Sequence, residues 1–239
     1  MKNLEFTPIG QIVASNYNTA RVFTAHNLDF CCGGGITLSK ACQQNGINLN
    51  EIITELEVVF NSDESQSISS ENPDQLIDNI INVHHRYVET TVPTLQLYLD
   101  KICRVHGHNH QELLEIKQHF DEGAKALLDH MRKEELILFP FIKAMVASRK
   151  NDFKLSAPHF GDIENPIQMM EHEHDIEGTR FKRISELSSH YQVPEDACQT
   201  YKVTYAMLKE FEDDLHKHIH LENNVLFPEA RQLYNEFKF

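Results

Sequence analysis

The sequence predicts an all-α protein, an up-down-up-down four-helix bundle preceded by a small helical domain. Three observations carry this. From Pro73 onward, apolar residues recur at spacings of three and four in four long segments separated by Gly or Pro. Two of those segments share one motif: His130-x-x-x-Glu134 and His218-x-x-x-Glu222, followed by Ile-Leu-Phe-Pro and Val-Leu-Phe-Pro at matching positions. A repeat of that length marks a duplicated structural unit. The third observation is a change of texture over residues 61–72, NSDESQSISSEN, which are polar, acidic and without apolar periodicity.

Residues 1–60 read as the small domain. Short apolar-periodic pieces lie at Ile9 to Val13, Ala20 to Phe23, Ile36 to Ala41 and Ile52 to Phe60, around the run Cys31-Cys32-Gly33-Gly34-Gly35. A unit of that size is near the lower limit for folding alone. Residues 61–72 read as a linker, and residues 73–239 as the bundle. The first bundle helix carries the stripe Ile81, His85, Val88, Val92, Leu95, Leu99 and Ile102. Pro93 lies inside it and predicts a kink, because proline has no N–H to donate. Gly107 ends it. The second helix spans Gln111 to Met145, with Ile116, Phe120, Leu127, His130, Glu134, Ile137, Phe141 and Met145 on one face. The third spans Pro166 to Tyr191, with Pro166 in its first turn and Ile167, Met170, His174, Glu177, Phe181 and Ile184 in line. Pro194 breaks the chain. The fourth spans Glu195 to Tyr234, striped by Met207, Phe211, Leu215, His218, Glu222 and Val225.

Charge narrows the function classes. With 22 Lys+Arg against 36 Asp+Glu, the net charge is −14. Sequence-independent nucleic-acid binding needs a cationic surface, and so does docking on an anionic membrane; neither is expected. No apolar run approaches the ~20 residues of a membrane span, and the N-terminal residues lack the apolar stretch of a signal peptide. The five Cys (Cys31, Cys32, Cys42, Cys103 and Cys198) are odd in number and offer no paired CxxC knuckles. They point to a reducing compartment, read as the cytoplasm, and away from a zinc ribbon. The unusual count is 15 His.

Four of those His fall into a pattern. Residues i and i+4 share one helix face, so each His-x-x-x-Glu pair can grip one metal centre. Both pairs lie on the apolar stripe, where a carboxylate is costly unless paired or bound to metal. A duplicated helix pair also asks for one inward His from the first and third helices. On the first, His85 continues the apolar stripe, whereas His84 keeps the more polar company of Ile80, Tyr87 and Thr91. On the third, His174 continues the stripe and His172 does not. The constellation is His85, His130, Glu134, His174, His218 and Glu222. Four imidazoles and two carboxylates exceed a tetrahedral structural zinc. They suit two metals bridged by the carboxylates, iron or manganese, with positions open to O2, NO or peroxide.

Other residues take plainer roles. His106, His108 and His110 read as a solvated loop, and His172, His216 and His220 as surface residues flanking the ligands. Glu173 is placed to orient a neighbouring imidazole. Cys42, Cys103 and Cys198 read as packing thiols. On the residues alone, Cys31 and Cys32 stay open between iron or redox chemistry and simple packing.

At these motifs the sequence resembles the hemerythrin-like di-iron proteins, and more closely the bacterial iron–sulfur cluster repair family. Leu28-Asp-Phe-Cys31-Cys32-Gly33-Gly34 is similar to that family's N-terminal hallmark. His130 to Pro140, Glu171-His-Glu-His174-Asp and His218 to Pro228 are similar to its metal motifs. The resemblance covers nearly the whole chain. It implies a hemerythrin-like bundle holding two iron ions, oxo-bridged in some states, on the six residues above. It implies a cytoplasmic stress protein that restores iron–sulfur clusters damaged by nitric oxide or oxidants, by supplying iron. Reduction of nitric oxide at the di-iron centre, or non-catalytic sensing of O2, NO or metal, are the alternatives. The partners implied are damaged iron–sulfur proteins and small ligands such as NO or O2, and a homodimer is compatible. Cys31 and Cys32 would then take part in redox or iron handling.

Overall fold

The structure, a computed structural model, describes residues 4–61 and 72–237. The linker expected over 61–72 lies almost wholly outside the described residues. The described residues are helical, with one isolated antiparallel bridge between Pro8 and Thr37. They divide into two compact units: residues up to Leu76 together with Ile219–Lys238, and Ile77–His218.

The first unit contains α1 (Ile9–Ser15), α2 (Ala20–Ala25), α3 (Leu38–Asn45) and α4 (Leu49–Phe60). Side-chain caps set the starts of the last two. Thr37 accepts from the Lys40 amide, and Asn48 from the Asn50 amide. Gly46, at φ 66°, closes α3 in the left-handed conformation that glycine adopts at no steric cost. Ile9, Ile12, Val13, Phe23, Leu38, Ile52 and Leu56 are buried, as are Leu226, Phe227 and Leu233.

The second unit holds most of the four-helix bundle; the start of the bundle's first helix and the end of its fourth are grouped with the first unit. The bundle's first helix joins α5 (Pro73–Asn79) to α6 (Arg86–His106) through a π-helical turn at Ile80–His85. The second joins α7 (Glu112–Lys133) to α8 (Phe139–Asn151) through a π turn at Glu134–Leu138. The third is α9 (Glu164–Leu187). The fourth is α10 (Gln199–Leu221), continued by a π turn at Glu222–Leu226 into α11 (Phe227–Tyr234). The bundle core is aromatic at its middle: Phe120, Phe181 and Phe211 lie 5.4 to 6.5 Å apart between ring centres. Arg180 and Arg183 of α9 pair with Glu122 and Glu115 of α7, each at 2.8 Å. These are exposed pairs and add little to stability.

The architecture is the expected one, and several local expectations are corrected. Pro93 lies inside the continuous helix Arg86–His106, and α geometry also gives way to a π turn earlier, at Ile80–His85. The third helix ends at Leu187 rather than Tyr191, and Ser189, His190 and Tyr191 all follow with positive φ. The inner face beyond Glu134 is Leu138, Ile142 and Met145, and Ile137 is 50% exposed. A π turn inserts one extra residue into the helix. The face therefore advances by one position, from the Ile137 and Phe141 expected to Leu138 and Ile142. The same shift buries Ile80 where Ile81 was expected.

Candidate metal centre

The three π turns fall at proposed ligands. His85 closes the first, Glu134 opens the second and Glu222 opens the third. In the latter two, the Phe139 and Phe227 amides donate to the Glu134 and Glu222 carbonyls, five residues back. Each is followed by proline, Pro140 or Pro228, which has no amide for the next α-helical bond and whose ring crowds the carbonyl four residues earlier. Widening the helix just before the Phe-Pro pair accommodates both effects.

In the bundle unit, side chains from all four helices converge. Glu134 is fully buried at their centre. Its Oε2 lies 3.5 Å from His85 Nε2 and 3.4 Å from His130 Nε2. His85 Nε2 and His218 Nε2 are 3.2 Å apart, and His130 Nε2 and His174 Nε2 are 3.0 Å apart. His85, Glu134 and His218 each offer a ligand atom within 4.8 Å of the others, and so do His130, Glu134 and His174. One carboxylate is thus common to two His pairs. Glu222 stands one turn beyond His218 on the same helix and is fully buried, with the spacing that relates His130 to Glu134.

Carboxylates outside this group orient the rings. Glu135 Oε1 lies 2.8 Å from His85 Nδ1, and Glu173 Oε2 lies 2.8 Å from His130 Nδ1. With Nδ1–H donating outward, each Nε2 is left with a lone pair aimed at Glu134. Glu173 also pairs with Lys133. The bond from His130 and then Lys133 hold its carboxyl down to about 2. Glu173 therefore has the orienting place expected of it, while Glu135 had no role in the sequence reading.

Two His depart from expectation. His84 was placed on a polar face, yet it is buried, bonds through Nδ1 to Asp214 at 2.8 Å and stacks on His218 at 5.7 Å. The π turn brings two consecutive residues inward, which an ideal α-helix does not. His220, expected at the surface, is fully buried beside Phe30 and Tyr17, and burial lowers its pKa to about 4. His110 pairs with Glu112 and Asp196, and Cys198 is exposed rather than packed. Cys31 is buried and Cys32 half-buried in the first unit, with their sulfurs 3.9 Å apart.

The donor set fits metal. Four imidazoles grouped around a shared buried Glu, two of them with the outer nitrogen held by a carboxylate, suit borderline first-row cations. Without cations, burying that Glu is costly.

Comparisons with known proteins agree with the geometry. Residues 76–230 match the hemerythrin HHE cation binding domain, and residues 6–59 match ScdA_N, described as a domain of unknown function. A Haemophilus influenzae protein named "Probable iron-sulfur cluster repair protein" is 32% identical, covering 92% of this chain and 94% of its own. The Staphylococcus epidermidis iron-sulfur cluster repair protein ScdA is 30% identical, covering 92% and 95%. The Yersinia pseudotuberculosis iron-sulfur cluster repair protein YtfE is 32% identical, covering 93% and 95%. With metal-binding residues gathered in a hemerythrin-type bundle and near-full-length similarity to these relatives, the chain belongs to the iron–sulfur cluster repair family.

Proposed function

We propose that this protein restores damaged iron–sulfur clusters and does so by supplying iron from a di-iron centre. The observation that carries this is Glu134, one buried carboxylate shared between two His pairs. In this reading His85, His218, His130, His174 and Glu134 would hold the iron. Glu222, by its register after His218, would be the second carboxylate of the set. Bound iron would provide both the exchangeable cargo and open positions for small ligands such as NO or O2. The chain's own residues do the remaining work: Glu135 and Glu173 fix the imidazole tautomers, and the apolar bundle limits water at the site. Cys31 and Cys32 take part in handling the iron, and the clients are damaged iron–sulfur proteins in the cytoplasm.

Support comes from the donor set and from the names the relatives carry. The test is anaerobic. The isolated protein should bind about two iron ions per chain, and the loaded protein should restore activity to a nitric-oxide-damaged iron–sulfur enzyme faster than the same amount of free ferrous iron. Recovery no better than free iron would overturn donation. Sustained formation of nitrous oxide with many turnovers would instead make the chain a nitric oxide reductase.

A further inference from the structure

The backbone around Cys31 and Cys32 is tied down on both sides. The amides of Cys31 and Cys32 donate to Asp29 Oδ1 at 3.0 and 2.9 Å. The carbonyls of Phe30 and Cys31 accept from Asn224 Nδ2 at 3.3 and 3.1 Å. Asn224 reaches them because two glycines leave it room. A Cβ at Gly10 or Gly34 would stand 2.0 or 2.7 Å from Asn224 Oδ1, closer than atoms approach. All of these residues belong to the first unit.

The clamp holds two thiols side by side, with Sγ atoms 3.9 Å apart and Cys31 Sγ 3.2 Å from Asp29 Oδ1. Two sulfurs bound at about 2.3 Å to one tetrahedral ion stand about 3.8 Å apart. A disulfide fits less well, since adjacent Cα atoms at ~3.8 Å fall below the usual bridged range. Asp29, Cys31 and Cys32 each offer a ligand atom within 4.8 Å of the others. Asp29 is exposed and Cys32 half-buried, so the group is open to solvent on one side.

We propose that Asp29, Cys31 and Cys32 form a second cation site, for one thiophilic divalent ion, with Asn224 as the residue that positions it. Binding releases two thiol protons to solvent as two metal–sulfur bonds form, and the ion keeps its charge. Its use as a point through which ferrous iron passes rests on the repair reading above; the site itself does not.

The test uses the full chain, its bundle centre already loaded with iron and assayed separately, titrated anaerobically with Cd2+. Thiolate-to-cadmium absorption should saturate at one ion per chain. Cys31→Ser and Cys32→Ser should each cut the band by half or more, and Cys198→Ser should leave it unchanged. Asp29→Asn keeps an acceptor for the two amides, and should weaken Cd2+ binding about tenfold or more. The proposal is overturned if no band forms at one equivalent, if the band survives loss of both Cys31 and Cys32, or if Asp29→Asn binds as tightly as the parent. Circular dichroism of each variant separates lost binding from lost fold. Iron content of the bundle is unaffected by any of these outcomes, so failure here leaves the repair reading standing.

Discussion

Glu173 holds no metal in the proposed centre, yet it faces His130 Nδ1 at 2.8 Å and pairs with Lys133. Replacing it with Gln weakens the charge that fixes the ring while keeping its shape. Glu173→Gln should lose iron to a chelator about tenfold more readily than the parent, with little change in fold. The neighbouring pair His84 and His85 gives a sharper contrast. Both are buried, but His85 alone approaches Glu134, and His84 bonds Asp214. His85→Ala should lower bound iron, whereas His84→Ala should keep the iron and lower the unfolding midpoint. Iron analysis of the two purified variants decides it, and the reverse result would exchange their roles. The inward turn of His85 and His174 was legible from their apolar neighbours. That of His84 was not, because a 3.6-residue period puts adjacent side chains about 100° apart.

At the scale of the helix, the π turn at Glu134–Leu138 decides which residues reach the core. Leu136 sits within it and is 76% exposed. Deleting Leu136 removes the inserted residue, so the segment should return to α geometry with the helix beyond it in the same register. Leu138, Ile142 and Met145 would keep their places in the core, and the loss of stability should stay well below the several kcal/mol of a large core truncation. Leu136→Ser should change stability by no more than about 0.5 kcal/mol. Denaturant midpoints of the two variants compare the loss of the inserted residue with the loss of its side chain alone, and a drop of several kcal/mol for the deletion would mean that the register is not kept. The sequence hid this register because both motif copies carry the turn, so aligning them showed agreement rather than an insertion. Helix number, order and approximate length were readable because long stripes average over one extra residue. The Asn224 clamp was unreadable for another reason: it joins residues far apart in sequence through backbone carbonyls, which leave no side-chain pattern.

Across the whole molecule, pH acts through groups remote from the metal centre as well as through ligands. Glu212 is buried on α10, and desolvation pushes its carboxyl up to about 7. Between about pH 4.3 and 7 the folded chain holds a proton there that the unfolded chain has released. Stability from this group is therefore fully present below the lower value and falls as pH rises to the upper one, by roughly 3 to 4 kcal/mol in all. Glu212→Gln should exceed the parent in urea midpoint at pH 8 and match it near pH 4. Equal midpoints at pH 8 would mean the carboxylate finds solvent when ionised.

The grouping of Ile219–Lys238 with the residues before Leu76 also has a consequence during synthesis on the ribosome. Residues 4–61 can fold helices once made, but part of their unit's core is buried Leu226, Phe227 and Leu233, which arrive only after residues 77–218 have been translated. At ordinary elongation rates that wait is on the order of ten seconds. Throughout it, the nascent N-terminal segment exposes apolar surface and a pair of thiols not yet held by Asn224. Until Leu233 is made, that surface and those thiols lack partners that bury and hold them in the folded chain.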